Sequence, residues 1–282
     1  MKFNTRRILA LLLALALLFV SVGCKREPSS SSEPSEPSSV ESSSSSKKPG
    51  IPTGGKIEDI KLKDSVAQGK ARNEDTIGWI KIPNTDIDDA VIQYIDNDYY
   101  LRLDEDRNYD IFGCYWADYN CILDLGRDEL SPNTIIYGHS DYRDNPEGKR
   151  FSQLFHYTDL DFLKKNPYIY FSTEDDEMVW QIFAVFYTRI NFNYIQANPA
   201  PEIFDEIIRE AIKRSEYIID VDVTTEDKIL TLSTCTGKLE GHLYPNGDYD
   251  NYRYVIMAKL LPAGESGECT TEMKINPNPE RS

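Results

Sequence analysis

Eight short runs of apolar and β-branched residues leave few architectures open to this chain. Turn formers such as Pro83-Asn84 and Asp96-Asn97 separate the runs. Many short strands with few helices are typical of an antiparallel sheet that closes on itself. The sequence therefore predicts a mainly β fold, a closed or nearly closed barrel, with strands at residues 77–82, 87–94, 113–117, 134–138, 168–172, 178–188, 229–234 and 254–261.

Two helices accompany these strands. Residues 56–73 place four apolar residues at helical spacing among charges, which predicts an amphipathic helix lying on the domain. Residues 199–217 repeat apolar residues at the same spacing, with Glu and Arg on the other face. This second helix precedes the strand at 229–234, so we expect it to belong to a long excursion beside the site described below.

The first 23 residues have the form of an export signal. Lys2, Arg6 and Arg7 precede an apolar run at residues 8–22, which is short for a bilayer span. A signal peptide processed before a lipid-bearing Cys24 and an uncleaved signal-anchor both fit this pattern. Either one predicts a domain tied through its N-terminus to the extracellular face of the cell membrane.

Composition divides the rest of the chain. Residues 24–55 are mostly Ser, Pro, Glu and Lys, which predicts a disordered tether. Residues 56–262 hold enough apolar sequence for one domain with a sizeable core. Residues 263–282 are polar and are predicted to form a disordered tail.

Charge and cysteine spacing exclude several classes of function. The chain has 47 acidic and 31 basic residues, so it lacks the basic face that nucleic acid requires. None of the five cysteines forms a Cys-x-x-Cys pair, and the acidic runs lack the spacing of a calcium loop. We therefore expect neither a metal nor another cofactor. Cys114 and Cys121 are compatible with a disulfide across a turn or with two free thiols.

Three strand ends carry a candidate set for covalent catalysis. Cys235 follows the apolar run 229–234, His139 follows another at 134–138, and Arg253 begins a third. A thiolate is a strong nucleophile, an imidazole moves protons, and a guanidinium offers forked donors to an oxyanion. Ser233 and Thr234 are candidate substrate-binding residues because they precede the cysteine.

Each of these residues also has an ordinary structural alternative. A buried cysteine after a strand is often a small core residue, and a histidine is often satisfied by structural hydrogen bonds. Arg253 could be a surface ion-pair partner on an acidic protein, and Ser233 and Thr234 could serve strand packing alone.

The motifs around these residues resemble the sortases, and more narrowly class B. The similar stretches are Asn-Glu-Asp-Thr-Ile-Gly-Trp-Ile-Lys-Ile at 73–82, Asp-Asn-Asp-Tyr-Tyr-Leu at 96–101, the segment 133–139 ending in Gly-His, and Thr-Leu-Ser-Thr-Cys at 231–235. Arg-Tyr-Val follows at 253–255. The likeness extends over residues 56–261, and the 73–101 block with a helix before the cysteine strand favours class B.

The resemblance implies an eight-stranded β-barrel and a transpeptidase. It implies that Cys235 is the nucleophile, His139 the general acid/base, and Arg253 the group that orients substrate and stabilises the oxyanion. The implied partners are secreted proteins with a C-terminal sorting signal and an amine of a peptidoglycan precursor or pilin. A monomer is expected. The loop that carries His242 and the cysteines at 114 and 121 match no familial motif.

Two rival functions remain at this stage. A papain-like cell-wall cysteine peptidase also uses Cys and His, but there the cysteine precedes the histidine and begins a helix. A catalytically silent surface β-barrel that only binds a ligand would keep the scaffold without turnover. The reactivity of Cys235 separates an enzyme from such a binding module.

Overall fold

The computed structural model describes residues 55–141, 143–237 and 252–280. The expected export segment at 1–23, Cys24, all but the last residue of the tether at 24–55, and the loop that carries His242 lie outside these residues. Among the residues described, no helix is long and apolar enough to cross a membrane. Residues 50–282 belong to one compact unit.

The molecule is built on a closed barrel of eight strands. With two further strands outside the barrel, the described strands in chain order are β1 (Thr76–Lys81), β2 (Asp88–Ile92), β3 (Tyr115–Ala117), β4 (Asn133–Tyr137), β5 (Tyr168–Thr173), β6 (Val179–Arg189), β7 (Tyr217–Ile219), β8 (Ile229–Cys235), β9 (Tyr252–Leu260) and β10 (Met273–Ile275). The barrel order is β1-β2-β3-β4-β8-β9-β6-β5, and β7 pairs with β10 in a separate two-stranded sheet. The predicted closed eight-stranded β-barrel is confirmed.

Two of the barrel pairings are parallel, whereas the sequence predicted an antiparallel sheet. β2 pairs with β3 and β4 pairs with β8 in parallel, and the other pairings are antiparallel. A parallel pairing needs a long crossover, which the segments between these strands supply. The β4·β8 pairing matters for function because it brings the C-terminal ends of two distant strands to one end of the barrel.

Side-chain alternation divides β8 and β9 between two apolar clusters. Leu230, Leu232 and Ile256 are fully buried in the main core cluster. Their neighbours Ile229 and Val255 belong to a second cluster. Successive strand residues point to opposite faces, so both faces of these strands are covered. Each such aliphatic side chain contributes about 1.5–3 kcal/mol when it is fully buried.

The described helices pack against the barrel. They are α1 (Lys63–Arg72), α2 (Leu160–Lys165) and α3 (Pro201–Arg214), with 3-10 helices at Tyr99–Arg102 and Arg150–Thr158. Helix α3 lies within the predicted range 199–217. It packs Phe204 and Ile207 into the second cluster.

The first predicted helix begins seven residues later than its apolar pattern suggested. The carboxylate of Glu177 accepts the backbone N–H groups of Leu62 and Lys63, which start the helix. A helix leaves its first N–H groups without internal partners, so this acceptor from another part of the chain fixes the start. Residues 56–62 lie outside the helix, and Lys56 forms an isolated β-bridge with Glu268 instead.

The C-terminal tail packs onto the barrel. β10 pairs with β7, Met273 is only 8% exposed, and the N–H of Cys269 donates to the carbonyl of Gly55 at 2.8 Å. The described part of the tail therefore differs from the disordered segment that its polar composition predicted. Backbone pairing and one buried methionine order it.

Candidate active site

Three strand ends converge at one end of the barrel. Cys235 ends β8 and pairs directly with Arg253 near the start of β9. On the other side of β8, Tyr137 of β4 pairs with Ser233. Two residues further along both parallel strands, His139 reaches the level of Cys235. The structure thus brings together all three residues of the predicted catalytic set.

The set lies on the outer face of β8 and β9. Cys235, His139 and Arg253 are each half-buried. Cys235 shares its face of β8 with Ser233, whose hydroxyl contacts Tyr194 from the segment before α3. The predicted excursion therefore flanks the site. Partial burial keeps the thiol accessible while it removes much of the water that would weaken nearby charges.

His139 is held in one tautomer by a backbone carbonyl. Its Nε2 lies 2.6 Å from the carbonyl oxygen of Leu101. A carbonyl oxygen only accepts, so Nε2 carries the proton and donates it in this contact. The ring of Trp116 lies 5.4 Å away, centroid to centroid, and the N–H of Phe151 donates to the carbonyl of His139 at 2.9 Å. Proton exchange at the reacting atoms therefore falls to Nδ1.

The residue before His139 must be a glycine. A Cβ at Gly138 would lie 2.8 Å from ring carbons of Phe151 and 2.9 Å from the ring of Tyr115. Real Cβ atoms do not approach other heavy atoms this closely, so the rings would have to move. The missing side chain lets the histidine-bearing segment pack tightly on these two aromatic residues.

Two hydroxyl groups join the end of β4 to the end of β8. Thr234 donates to the carbonyl of Gly138 at 2.7 Å, and Ser140 donates to the carbonyl of Cys235 at 2.6 Å. The two bonds lie on either side of His139 along the chain. They fix the segment that bears the base against the segment that bears the nucleophile.

Asp144 extends this junction beyond the nucleophile. Its carboxylate accepts the hydroxyl of Thr236 at 2.6 Å and the N–H of Gly237 at 3.1 Å. The N–H of Thr236 also approaches the carbonyl of Tyr252 at 3.4 Å. The residues directly after Cys235 are therefore held from two sides.

The two predicted substrate-binding residues have buried hydroxyl groups. Ser233 and Thr234 are each 3% exposed. The Ser233 hydroxyl lies 2.8 Å from the hydroxyl of Tyr194, and the Thr234 hydroxyl donates to the carbonyl of Gly138. Their contact with substrate stays a prediction, and the structure shows a packing role for both side chains.

Tyr194 lies beneath the site, and sequence reasoning missed it. Burial raises its pKa to about 12, although the Ser233 hydroxyl and the charge of Arg253 act in the opposite direction. The side chain is therefore a neutral hydrogen-bonding group next to the cation. Nothing in the sequence singles out this residue among 18 tyrosines.

The Leu101 carbonyl and the Trp116 ring were also missed as parts of the site. A main-chain acceptor leaves no mark on side-chain type, and by sequence a tryptophan such as Trp116 is indistinguishable from an ordinary core aromatic residue. Both contacts arise from how the loop after β2 and strand β3 pack beside β4.

The other cysteines stand apart from this set. Cys114 and Cys121 are buried free thiols, so the structure does not join them in a disulfide. Cys121 accepts the N–H of Ile135 at 3.3 Å. Burial raises the pKa of Cys121 to about 12 and that of Cys114 well above its ordinary value. Both thiols are therefore protonated and unreactive near neutral pH.

A large surface cavity lies at the opposite end of the barrel. It has a volume of about 720 Å³ and is lined by the end of β9 and residues 220–228. Its lysines are already engaged, since Lys259 pairs with Asp227 at 3.0 Å and Lys228 donates to the carbonyl of Leu130 at 2.5 Å. The cavity contains none of the catalytic set.

Comparison with known proteins points to one family. A family model for the sortase domain matches residues 80–261. The chain is 32% identical over 201 residues to sortase B of Listeria monocytogenes serovar 1/2a (strain ATCC BAA-679 / EGD-e), covering 71% of this chain and 75% of that protein. The solved Staphylococcus aureus sortase B–substrate complex matches with a TM-score of 0.59 and 27% identity, over 72% of this chain and 87% of the other. A structure of sortase B complexed with triglycine matches with a TM-score of 0.61 and 27% identity, over 72% and 88% respectively.

Proposed function

The chain belongs to the sortase family, in class B, and from this membership we propose that it cleaves a sorting signal after Thr in secreted proteins. It then joins the acyl group to an amine of the cell wall. The family match and the sortase B relatives support a cell-wall sorting cysteine transpeptidase. The observation that carries the proposal is the convergence of Cys235, His139 and Arg253 at three strand ends.

In the first half-reaction the thiolate of Cys235 attacks the Thr carbonyl. The carbon–sulfur bond forms, and the carbonyl electrons move to the oxygen as an oxyanion. Arg253 donates to that oxygen, because a guanidinium presents several N–H groups in a fixed fork. The carbon–nitrogen bond then breaks, and His139 gives a proton to the departing amine. A thioester on Cys235 remains.

In the second half-reaction an amine resolves the thioester. His139 takes a proton from the incoming amine, the new amide bond forms, and the thiolate leaves. The same imidazole therefore acts first as acid and then as base. Its Nε2 stays on the Leu101 carbonyl in both protonation states, so the ring keeps its orientation while Nδ1 gains and loses the proton.

The relatives support a peptide donor and an amine acceptor. One solved neighbour is a sortase B–substrate complex, and another is sortase B with triglycine, which presents a free α-amine. For this chain we propose a C-terminal sorting signal as donor and an amine of a peptidoglycan precursor or pilin as acceptor.

Membrane attachment is part of the same proposal. The basic residues at positions 2, 6 and 7 and the apolar run at 8–22 support an exported chain that stays tied to the outer face of the membrane. Either a lipid on Cys24 or an uncleaved anchor would hold it there. The domain acts as a monomer in this proposal.

Mass spectrometry of residues 50–282 with sorting-signal peptides tests the function. We expect a cleaved peptide, a thioester on Cys235 and, with triglycine or a diamino acid present, a ligated product. Cys235→Ala abolishes all three, whereas Cys269→Ala, at a half-buried cysteine away from the set, retains them. Ligation by the Cys235→Ala protein would contradict the mechanism. No turnover together with an unreactive Cys235 would favour the surface binding module.

A further inference from the structure

A buried ion-pair cluster is centred on Arg150, whose neighbour Phe151 bonds to the backbone of His139. Its guanidinium Nη1 lies 2.8 Å from a carboxylate oxygen of Asp89 and 2.8 Å from one of Glu105, and Nη2 donates to Glu105 at 3.2 Å. The side chains of Arg150 and Glu105 are 15% and 5% exposed. Buried charges are costly unless they are paired, so such a cluster calls for an explanation.

The backbone at Arg150 is also unusual. Its φ of 53° lies in the left-handed region, which a residue with a long side chain rarely adopts. Such a conformation persists only where the surroundings enforce it, and it is found most often near functional sites. Here it begins the 3-10 helix Arg150–Thr158 and directs the guanidinium into the cluster.

His139 is held by three separate segments of the chain. The first supplies the Leu101 carbonyl for Nε2, at 2.6 Å. The second supplies the N–H of Phe151 for the main-chain carbonyl, at 2.9 Å. The third supplies the ring of Trp116, 5.4 Å from the imidazole.

Arg150 contacts all three of these segments. It precedes Phe151 directly in the chain. Its guanidinium lies 5.3 Å over the ring of Tyr115, the neighbour of Trp116. It bonds to Glu105 in the loop that follows Leu101. The Leu101 carbonyl, the Trp116 ring and the Phe151 N–H therefore each belong to a residue within four positions of one that Arg150 bonds to, stacks on or directly precedes.

We propose that Arg150 and Glu105 form a positioning pair for His139. Neither residue touches the reacting atoms. The pair locks the Leu101 loop, the start of the 3-10 helix and strand β3 to one another, so that the imidazole stays aimed at Cys235. The inference rests on the proposed cysteine chemistry and adds two residues to it.

Lysine cannot replace Arg150 in this role. A guanidinium presents several donors in one plane and can stack on an aromatic ring while it binds two carboxylates. An ammonium is a compact point charge and cannot bridge Asp89 and Glu105 while it covers Tyr115. Arg150→Lys therefore keeps the positive charge of the cluster but loses the planar set of donors and the stacking on Tyr115.

The matched control is Arg127→Lys at the other end of the barrel. Arg127 is also largely buried, 19% exposed, and it bonds to the carboxylate of Asp176 at 2.5 Å. It further donates to the carbonyls of Leu261 and Glu177. The two substitutions remove the same kind of cluster, and only one of the two clusters lies beside His139.

The experiment uses the full-length chain and two readouts. The first is the rate of Cys235 alkylation by iodoacetamide as a function of pH, which needs no peptide substrate. The second is the separation of kcat from KM in peptide ligation. For Arg150→Lys we expect a fall in kcat of about 10–100-fold with little change in KM, because small misplacements of a catalytic group cost this much. We also expect the alkylation curve to shift to higher pH.

Arg127→Lys should leave both readouts unchanged, even if it lowers the melting temperature equally. A folded Arg150→Lys protein with the kcat and alkylation curve of Arg127→Lys would overturn the proposal. Alkylation is independent of turnover. If the wild-type chain ligates no peptide, the proposed function fails, and the alkylation curves of the variants still test the positioning pair.

Glu105→Gln provides a second test of the pair in case the Arg150→Lys protein does not fold. The amide has nearly the same shape and accepts a weaker hydrogen bond than a carboxylate. We expect a smaller effect in the same direction, about a few-fold in kcat. The double variant should be no worse than Arg150→Lys alone, since residues of one network are not additive. Effects that simply multiply would show that the two residues do not act as a pair.

Discussion

Cys235 and Arg253 are direct cross-strand partners on β8 and β9, and on its other side Arg253 pairs with Thr188 of β6. Direct partners on antiparallel strands place their side chains on the same face, with Cβ atoms about 4.5–5.5 Å apart. Strands on both sides therefore fix the backbone of Arg253 beside that of Cys235. The Arg253 guanidinium donates through Nη1 to the carbonyl of Tyr252 at 3.0 Å.

This pairing predicts a specific effect for Arg253→Lys. The positive charge stays, but the forked donors that an oxyanion needs are lost, so kcat should fall by about 10²–10³. Steady-state ligation kinetics measure the loss. Arg209→Lys is the control, because Arg209 lies exposed on α3 and pairs with Asp205, four residues earlier on the same helix. Equal kcat values for the two variants would contradict the role of Arg253.

Cysteine labelling should distinguish Cys235 from the buried thiols. At pH 8 a thiol with the pKa of Cys121, about 12, is deprotonated in about one molecule in ten thousand. The thiolate fraction increases only as the pH approaches the pKa, so labelling of Cys121 should become measurable only in strong alkali. Peptide mapping after brief iodoacetamide treatment should find the label on Cys235. An equally fast adduct on Cys121 would show that its burial is wrong.

Thr234→Val should lower both activity and stability. Valine keeps the branched shape but leaves the carbonyl of Gly138 without its donor, which costs about 1–3 kcal/mol when the group is buried. Because Gly138 precedes His139, we expect kcat to fall by about tenfold as the histidine loses its alignment.

The control for this variant is Thr158→Val. Thr158 donates its hydroxyl to the carbonyl of Phe155 at 2.7 Å, away from the catalytic set. Thermal denaturation and ligation kinetics of both variants separate the two effects. A Thr234→Val protein that loses stability but keeps full kcat would show that this bond has no part in positioning His139.

Tyr194→Phe tests the buried hydroxyl beneath the site. Its loss leaves the hydroxyl of Ser233 without this partner, beside Arg253. We expect kcat to fall by about 5–30-fold, which corresponds to about 1–2 kcal/mol.

Tyr217→Phe removes a similar hydroxyl bond, 3.0 Å to the carbonyl of Tyr157, from the main core cluster. It should lower the melting temperature without changing kcat. If Tyr217→Phe reduced kcat as much as Tyr194→Phe does, general softening of the barrel would explain both results.

The barrel strands could be predicted because burial leaves a pattern that residue types reveal. On β8 the inward Leu230 and Leu232 alternate with Ile229, Thr231 and Ser233, which are buried as well. The run therefore stands out in the sequence, and so does the cysteine at its end. The candidate set of Cys235, His139 and Arg253 could be singled out for the same reason, since each member directly follows or begins such a run, and its catalytic role stays a prediction.

Features decided by main-chain contacts left no such pattern. Helix α1 begins where Glu177 supplies acceptors for Leu62 and Lys63, a contact between residues more than a hundred positions apart. The tail is ordered by β10 pairing with β7. The Leu101 carbonyl holds His139 with an atom that every residue possesses. Sequence patterns cannot reveal partners that depend on which distant backbones meet.

The parallel pairing of β4 and β8 has a consequence for the order of folding. Thr231 and Asn133, which are 98 residues apart, hydrogen-bond across these strands at 2.6 Å. Contacts between such distant residues form late, because a long loop must close first. β8 also lies between β4 and β9 in the barrel, so Cys235 has both of its partners only when both neighbouring strands have paired with β8. On the proposed chemistry, a half-folded chain would carry Cys235 as an ordinary thiol, and the appearance of enhanced reactivity at this residue would report that the barrel has closed.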